Sequence, residues 1–67
     1  MTTEWVRDLE EGDYFFRGNG RYEVLWGPIS GGARWGTEKL RLWCRDTDTQ
    51  AEGFAVFDEN EAVLLDE

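Results

Sequence analysis

Lys39-Leu40-Arg41-Leu42-Trp43-Cys44-Arg45 alternates from end to end. Leu40, Leu42 and Cys44 fall on one side of an extended chain, with Lys39, Arg41, Trp43 and Arg45 on the other. Successive side chains of a strand point to opposite faces, so a period of two marks a half-buried strand. Moving outward, Tyr22-Glu23-Val24-Leu25-Trp26 alternates as well, with Tyr22, Val24 and Trp26 on one face. Gly18-Asn19-Gly20 lies between that run and Tyr14-Phe15-Phe16-Arg17, and an Asn-Gly step favours the primed turns that match strand twist. Downstream, Asp46 to Gly53 reads as a polar turn region and Phe54-Ala55-Val56-Phe57 as a strand.

The ends read in the same way. Trp5-Val6-Arg7-Asp8-Leu9 is a lead-in strand, followed by a turn at Glu10-Glu11-Gly12-Asp13. Ala62-Val63-Leu64-Leu65 is a last short strand or a single helical turn, too short for an isolated helix. Gly27 to Glu38, with Pro28, Gly31, Gly32 and Gly36, reads as a long Gly-rich loop. A set of short strands in a small chain points to an all-β fold. Open sheets leave edges, which small β proteins commonly remove by closing the sheet. The expectation is one domain over residues 1–67: a small SH3-like barrel of about five short, strongly bent antiparallel strands. The competing architecture is a β-meander that needs a dimer to cover one face.

Composition narrows the chemistry. With 67 residues the chain buries only about 60% of its unfolded surface, which leaves a marginal stability. One cysteine, Cys44, excludes an intramolecular disulfide, and the absence of histidine excludes a Cys/His zinc site. Four Trp, four Phe and two Tyr must supply the core, and the domain is expected to be cofactor-free. No histidine is present for general-base work, and Ser30 has no evident partner, so the chain reads as a non-enzyme. Cys44 alternates with Leu40 and Leu42, which makes it a small buried hydrophobe. Asp46-Thr47-Asp48-Thr49-Gln50-Ala51-Glu52 has the first oxygen spacings of a calcium loop. It has Ala51 where glycine is required and Phe57 where the bidentate Glu is required, so a polar hairpin loop is the better reading. No apolar run approaches the ~20 residues of a membrane span, and Met1-Thr2-Thr3-Glu4-Trp5 lacks a signal peptide's regions. With a free thiol, the expected compartment is the cytoplasm.

Charge is unevenly distributed along the chain. Residues 1–45 carry 7 acidic and 7 basic side chains, whereas residues 46–67 carry 8 acidic and none basic, so the net charge of -8 arises entirely in the last third. A one-signed surface repels phosphate backbones and attracts basic partners.

The order Asp8-Leu9-Glu10-Glu11-Gly12-Asp13-Tyr14-Phe15, Arg21-Tyr22-Glu23-Val24, Leu40-Arg41-Leu42, Phe54-Ala55-Val56-Phe57 and Ala62-Val63-Leu64-Leu65 resembles the SH3-like small barrels of bacterial and bacteriophage accessory proteins. The resemblance spans most of the chain, but its motif is generic. It implies the fold rather than an activity. The chain departs from it by its Gly-rich loop and acidic end.

Binding is the function that these residues favour. The expectation is a protein-binding accessory module, of the kind phages encode to modulate or inhibit a host protein, acting through exposed aromatics and an acidic face. Its candidate contacts are Arg34 and Trp35 on the long loop, Arg41, Trp43 and Trp26 on the sheet, and Asp58, Glu59 and Glu61. Trp35 has a competing role as a cap on the core. Tyr14 and Phe16 are candidates to join Trp26 and Trp43 on an outer aromatic strip, a surplus that also suggests self-association. The alternative is a nucleic-acid-binding barrel with an Arg/Trp patch built from Arg34, Lys39, Arg41, Arg45, Trp35 and Trp43, against which the sequence pI of about 4.3 argues. A third possibility is an aromatic cage for a methylated cation.

Overall fold

A computed structural model describes residues 2–30 and 39–66. Six strands form one antiparallel sheet: β1 Thr2–Trp5, β2 Tyr14–Arg17, β3 Gly20–Ser30, β4 Lys39–Asp46, β5 Glu52–Asp58 and β6 Ala62–Leu65. Their order across the sheet is β1-β6-β2-β3-β4-β5, and the described residues include no α-helix. The all-β expectation therefore holds, with six strands rather than about five.

Local chemistry explains each connection. β2 and β3 are joined by two residues, Gly18 and Asn19, with Arg17 paired to Gly20. Gly18 has φ +60, which puts the positive-φ residue at the first central position, the pattern of a type II′ hairpin. The turn therefore rests on Gly18 rather than on the Asn-Gly step. β4 and β5 are joined by a polar hairpin loop, in which Asp46 Oδ1 accepts from the amides of Asp48 (2.8 Å) and Thr49 (3.2 Å). This is the Asx geometry that short acidic side chains favour. The N-terminal strand ends at Trp5, earlier than the sequence pattern indicated. A single 3-10 turn, Val6–Asp8, follows and sends both Val6 and Leu9 into the core. Ala62–Leu65 resolves as a strand, because β1 and β2 pair with it on either side.

The core comprises Val6, Leu9, Phe15, Val24, Leu42, Cys44, Phe57 and Val63. Phe15 stacks on Tyr22 at 5.5 Å and meets Phe57 edge-on at 6.0 Å. Phe15 lies on β2 and Phe57 on β5, two strands separated in the sheet by β3 and β4. Their contact shows that the sheet curls until these strands face each other across the core.

The curl does not close into a barrel. β2 already has two neighbours, because Phe15 and Phe16 pair with Leu65 and Leu64 of β6 as well as with β3. No ladder joins β5 to β2, so β1 and β5 remain the two ends of the sheet. A side chain spans the seam instead. Arg17 donates to the Val56 carbonyl (3.0 Å), stacks over Phe57 (3.9 Å) and lies 3.8 Å from Glu61. Arg17→Ala is expected to destabilise the fold by about 1 kcal/mol, since it removes a hydrogen bond and a cation–π contact at a partly exposed site. Urea titration checks this, and an unchanged midpoint would show that the seam needs no clasp.

Two irregularities bend β3. The pairing advances from Val24↔Cys44 to Trp26↔Trp43 and then to Ile29↔Arg41, with one extra β3 residue in each interval. Each is a β-bulge, which bends the strand and shifts which face its side chains take. Gly27 lies in the second interval with φ +101, and the Gly27–Pro28 peptide is cis. Gly27, Pro28, Ile29 and Ser30, which the composition assigned to a long loop, belong instead to β3. Residues 31–38, which include Arg34 and Trp35, lie outside the described residues.

Candidate functional site

The outer face of β3, β4 and β5 is built by register. Arg41 faces Val56, Trp43 faces Phe54 and Arg45 faces Glu52 across the β4–β5 ladder. On the other side of β4, Trp26 faces Trp43 and Ile29 faces Arg41. Leu42 and Cys44 occupy the opposite face, in the core. Cross-strand neighbours on one face approach closely enough to interact, and here they do. The Phe54 ring meets Trp43 at 4.8 Å in a T-shaped pair and Trp26 at 6.2 Å. The Arg41 guanidinium lies over Phe54 at 5.0 Å. Trp26 is 49% exposed, Phe54 48% and Val56 42%.

Three of the residues singled out from sequence, Trp26, Arg41 and Trp43, are therefore brought together. Simple alternation places Trp26 with Val24, but Val24 is buried and Trp26 is exposed. The bulge between them carries Trp26 over to the face of Trp43. Phe54, at the centre of the cluster, was not among the sequence candidates. Both parities of Phe54-Ala55-Val56-Phe57 contain an aromatic, so alternation cannot choose the outer one. The signal that identifies it is the hairpin register: folding the chain back about the Asp46–Gly53 turn sets Phe54 opposite Trp43. Tyr14 and Phe16 do not join this cluster. Tyr14 is half-buried under Arg21 (4.3 Å), and Phe16 lies on β2, paired with Arg21 of β3 and Leu64 of β6 rather than with β4 or β5.

Charge on this face is balanced. Arg45 is hydrogen-bonded to Glu23 (2.6 Å) and lies 3.8 Å from Glu52. The Glu23 hydrogen bond, then its charge, raises the Arg45 pKa above its ordinary value. Trp43 Nε1 donates to Glu52 (3.3 Å), and Lys39 pairs with Asp58. Among the described residues, three cations, Lys39, Arg41 and Arg45, thus share the face with Glu23, Glu52 and Asp58.

The acidic last third does not stand apart as the chain order suggests. Glu52, Asp58, Glu61 and Asp66 lie against Arg45, Lys39, Arg17 and Arg21. Antiparallel pairing sets late acids against earlier bases. Of the three acidic candidates, Asp58 and Glu61 carry ion pairs, and Glu59 is exposed between them in the β5–β6 turn. Cys44 is buried, and burial pushes its thiol pKa up, opposed by the charge of Arg17. A buried thiol held protonated is a poor nucleophile.

Comparison with known proteins finds no matching family model, curated relative or solved structure. The described residues contain no group of three or more metal-ligating side chains and no helix long and apolar enough to cross a membrane.

Proposed function

We propose that the chain is a non-catalytic protein-binding accessory module whose contact surface is the outer face of β3, β4 and β5. The observation that carries this reading is the contiguous cluster of Trp26, Trp43, Phe54 and Val56 on that face, with Arg41 stacked over it. Aromatics and arginine are the residue types that dominate binding hot spots. Placing them outside the core of so small a domain forgoes burial that its stability would otherwise use. The finer reading, a phage-type modulator or inhibitor of a host protein, follows the SH3-like resemblance and belongs to the same proposal. Aromatic anchors supply its affinity, and Asp58 and Glu59 form an acidic rim.

The nucleic-acid alternative needs an excess of positive charge on this face. Among the described residues, three carboxylates against three cations remove that excess, which favours a protein partner over a phosphate backbone.

Trp43→Ala/Phe54→Ala is the decisive variant. Its fold is expected to persist, because neither side chain belongs to the core. A protein captured by the wild-type chain, then purified and titrated, is expected to bind the variant at least ~10-fold more weakly, a loss of about 1.4 kcal/mol. Equal binding by the two proteins would reject the aromatic face as the contact surface. Concentration-dependent sedimentation that the same variant abolishes would instead assign the face to self-association.

A further inference from the structure

β5 ends the sheet, with β4 as its only ladder neighbour among the described residues. In an antiparallel strand each residue directs its N–H and C=O to the same side, and successive residues alternate sides. The Val56 carbonyl accepts from Arg17 on the side away from β4. The same parity puts the N–H and C=O of Phe54, the N–H of Val56 and the C=O of Glu52 on that open edge.

A concavity of about 330 Å³ runs along this edge, with Phe15, Tyr22, Ala55 and Phe57 in its apolar lining and Arg17, Asp46 and Glu52 in its polar lining. Edge and concavity occur together for one reason: the sheet curls β5 towards β2, and the ladder stops short of joining them.

We infer that β5 accepts an extended segment of a protein partner as a further strand that displaces Arg17 from the Val56 carbonyl, with an apolar side chain in the concavity and a Lys or Arg beside Glu52. This rests on the protein-binding reading and names the class of partner. Main-chain hydrogen bonds to an exposed edge provide affinity, and alternate side chains provide specificity. On one face the incoming side chains enter the concavity. On the other they lie beside Phe54 and Val56 and extend the aromatic cluster.

Charge selects the occupant. The outer-face ends of β5 are Glu52 and Asp58, and Asp46 and Asp48 lie in the adjoining turn. A second copy paired antiparallel along the full length of its own β5 would set Glu52 against the partner's Asp58, and like charges directly opposite destabilise a sheet. A basic segment meets the same positions with opposite charge.

The test uses three capped heptapeptides of alternating valine and threonine: one bracketed by lysines, one bracketed by glutamates, and the lysine peptide N-methylated at alternate amides. The lysine peptide is expected to shift the Phe54 and Val56 amide resonances and slow their hydrogen exchange. The glutamate peptide is expected to bind at least 10-fold more weakly, and N-methylation to abolish binding. Phe54→Pro removes an edge-facing N–H without removing a ladder bond to β4, and is expected to lose the lysine peptide. The N-methylated peptide keeps the test valid if that variant fails to fold. No change at β5 amides with millimolar lysine peptide, or equal binding after N-methylation, overturns strand addition. Equal binding of the glutamate peptide overturns the basic partner. Failure of the peptides while Trp43 and Phe54 still govern capture of a protein rejects this inference alone. Failure of both rejects the protein-binding reading.

Discussion

Phe15→Ala is expected to leave the chain largely unfolded in water at room temperature. Phe15 is fully buried, stacks on Tyr22 and meets Phe57 edge-on. Its strand is the one that joins β3 to β6. Truncating a buried Phe to Ala costs about 3–5 kcal/mol. A chain of this length has a total stability on the order of 3–10 kcal/mol, at roughly 0.05–0.15 kcal/mol per residue. The loss is thus comparable with everything that holds the fold together, and neither a disulfide nor a Cys/His zinc site is there to compensate. Far-UV circular dichroism and urea titration read the result. Phe15→Leu keeps most of the volume and is expected to stay folded with a lower midpoint, at a cost of about 1–1.5 kcal/mol. A Phe15→Ala midpoint near that of the wild type would show that the core is not organised around β2 and β5.

Gly27→Ala is expected to cost about 1–3 kcal/mol and to disturb Trp26 at the same time. Gly27 has φ +101, a conformation that L side chains rarely adopt. A Cβ there would lie 3.1 Å from the Arg41 carbonyl oxygen and 3.6 Å from the Leu42 Cα, both backbone atoms of the neighbouring strand. Neither can swing aside as a side-chain tip would. The strain falls on the bulged stretch that carries Trp26 to the outer face. The urea midpoint should therefore drop, and the Trp26 contribution to fluorescence should change. If conformation is the cause, a synthetic chain with D-alanine at position 27 should recover part of the lost stability. Wild-type stability in the L-alanine variant would contradict the backbone geometry assigned to this bulge.

The fold class was legible because the evidence for it is local. Leu40, Leu42 and Cys44 alternate with charged residues and Trp43, and a period of two needs no tertiary information to be read. The burial of Cys44 followed from the same alternation. The polar hairpin at Asp46–Gly53 was legible from its residue types. The failures lie where the chain departs from a regular period. Nothing in Val24-Leu25-Trp26 marks a bulge, so alternation grouped Trp26 with Val24 even though its aromatic character made it a candidate for the outer strip. Gly27 and Pro28 read as loop punctuation, although a strand with a bulge also uses glycine at positive φ. Trp5-Val6-Arg7-Asp8-Leu9 read as a strand, because Val6 and Leu9 have the same apolar character whether a strand or a 3-10 turn carries them inward.

The candidate site divides along the same line. Arg41 and Trp43 were legible as an outer pair, since their strand alternates without interruption. Phe54 was not, because the run that contains it is apolar on both faces and only pairing with β4 decides which aromatic turns outward. The acidic last third shows the converse error. Linear order separates the charges, and the antiparallel ladders and turns reunite Glu52 with Arg45, Asp58 with Lys39, Glu61 with Arg17 and Asp66 with Arg21.

By itself, the sequence determined that the chain is all-β and antiparallel, that Cys44 and its alternating leucines face inward, and that neither a disulfide nor a Cys/His metal site supports the core. These follow from residue types and a two-residue period, which act over a few positions. Only the tertiary structure decided that the sheet stays open at β5, that bulges bring Trp26 to Trp43, and that Phe54 stands at the centre of the exposed cluster. Those outcomes depend on which strands pair and in what register, and pairing is set by contacts between residues far apart in the chain.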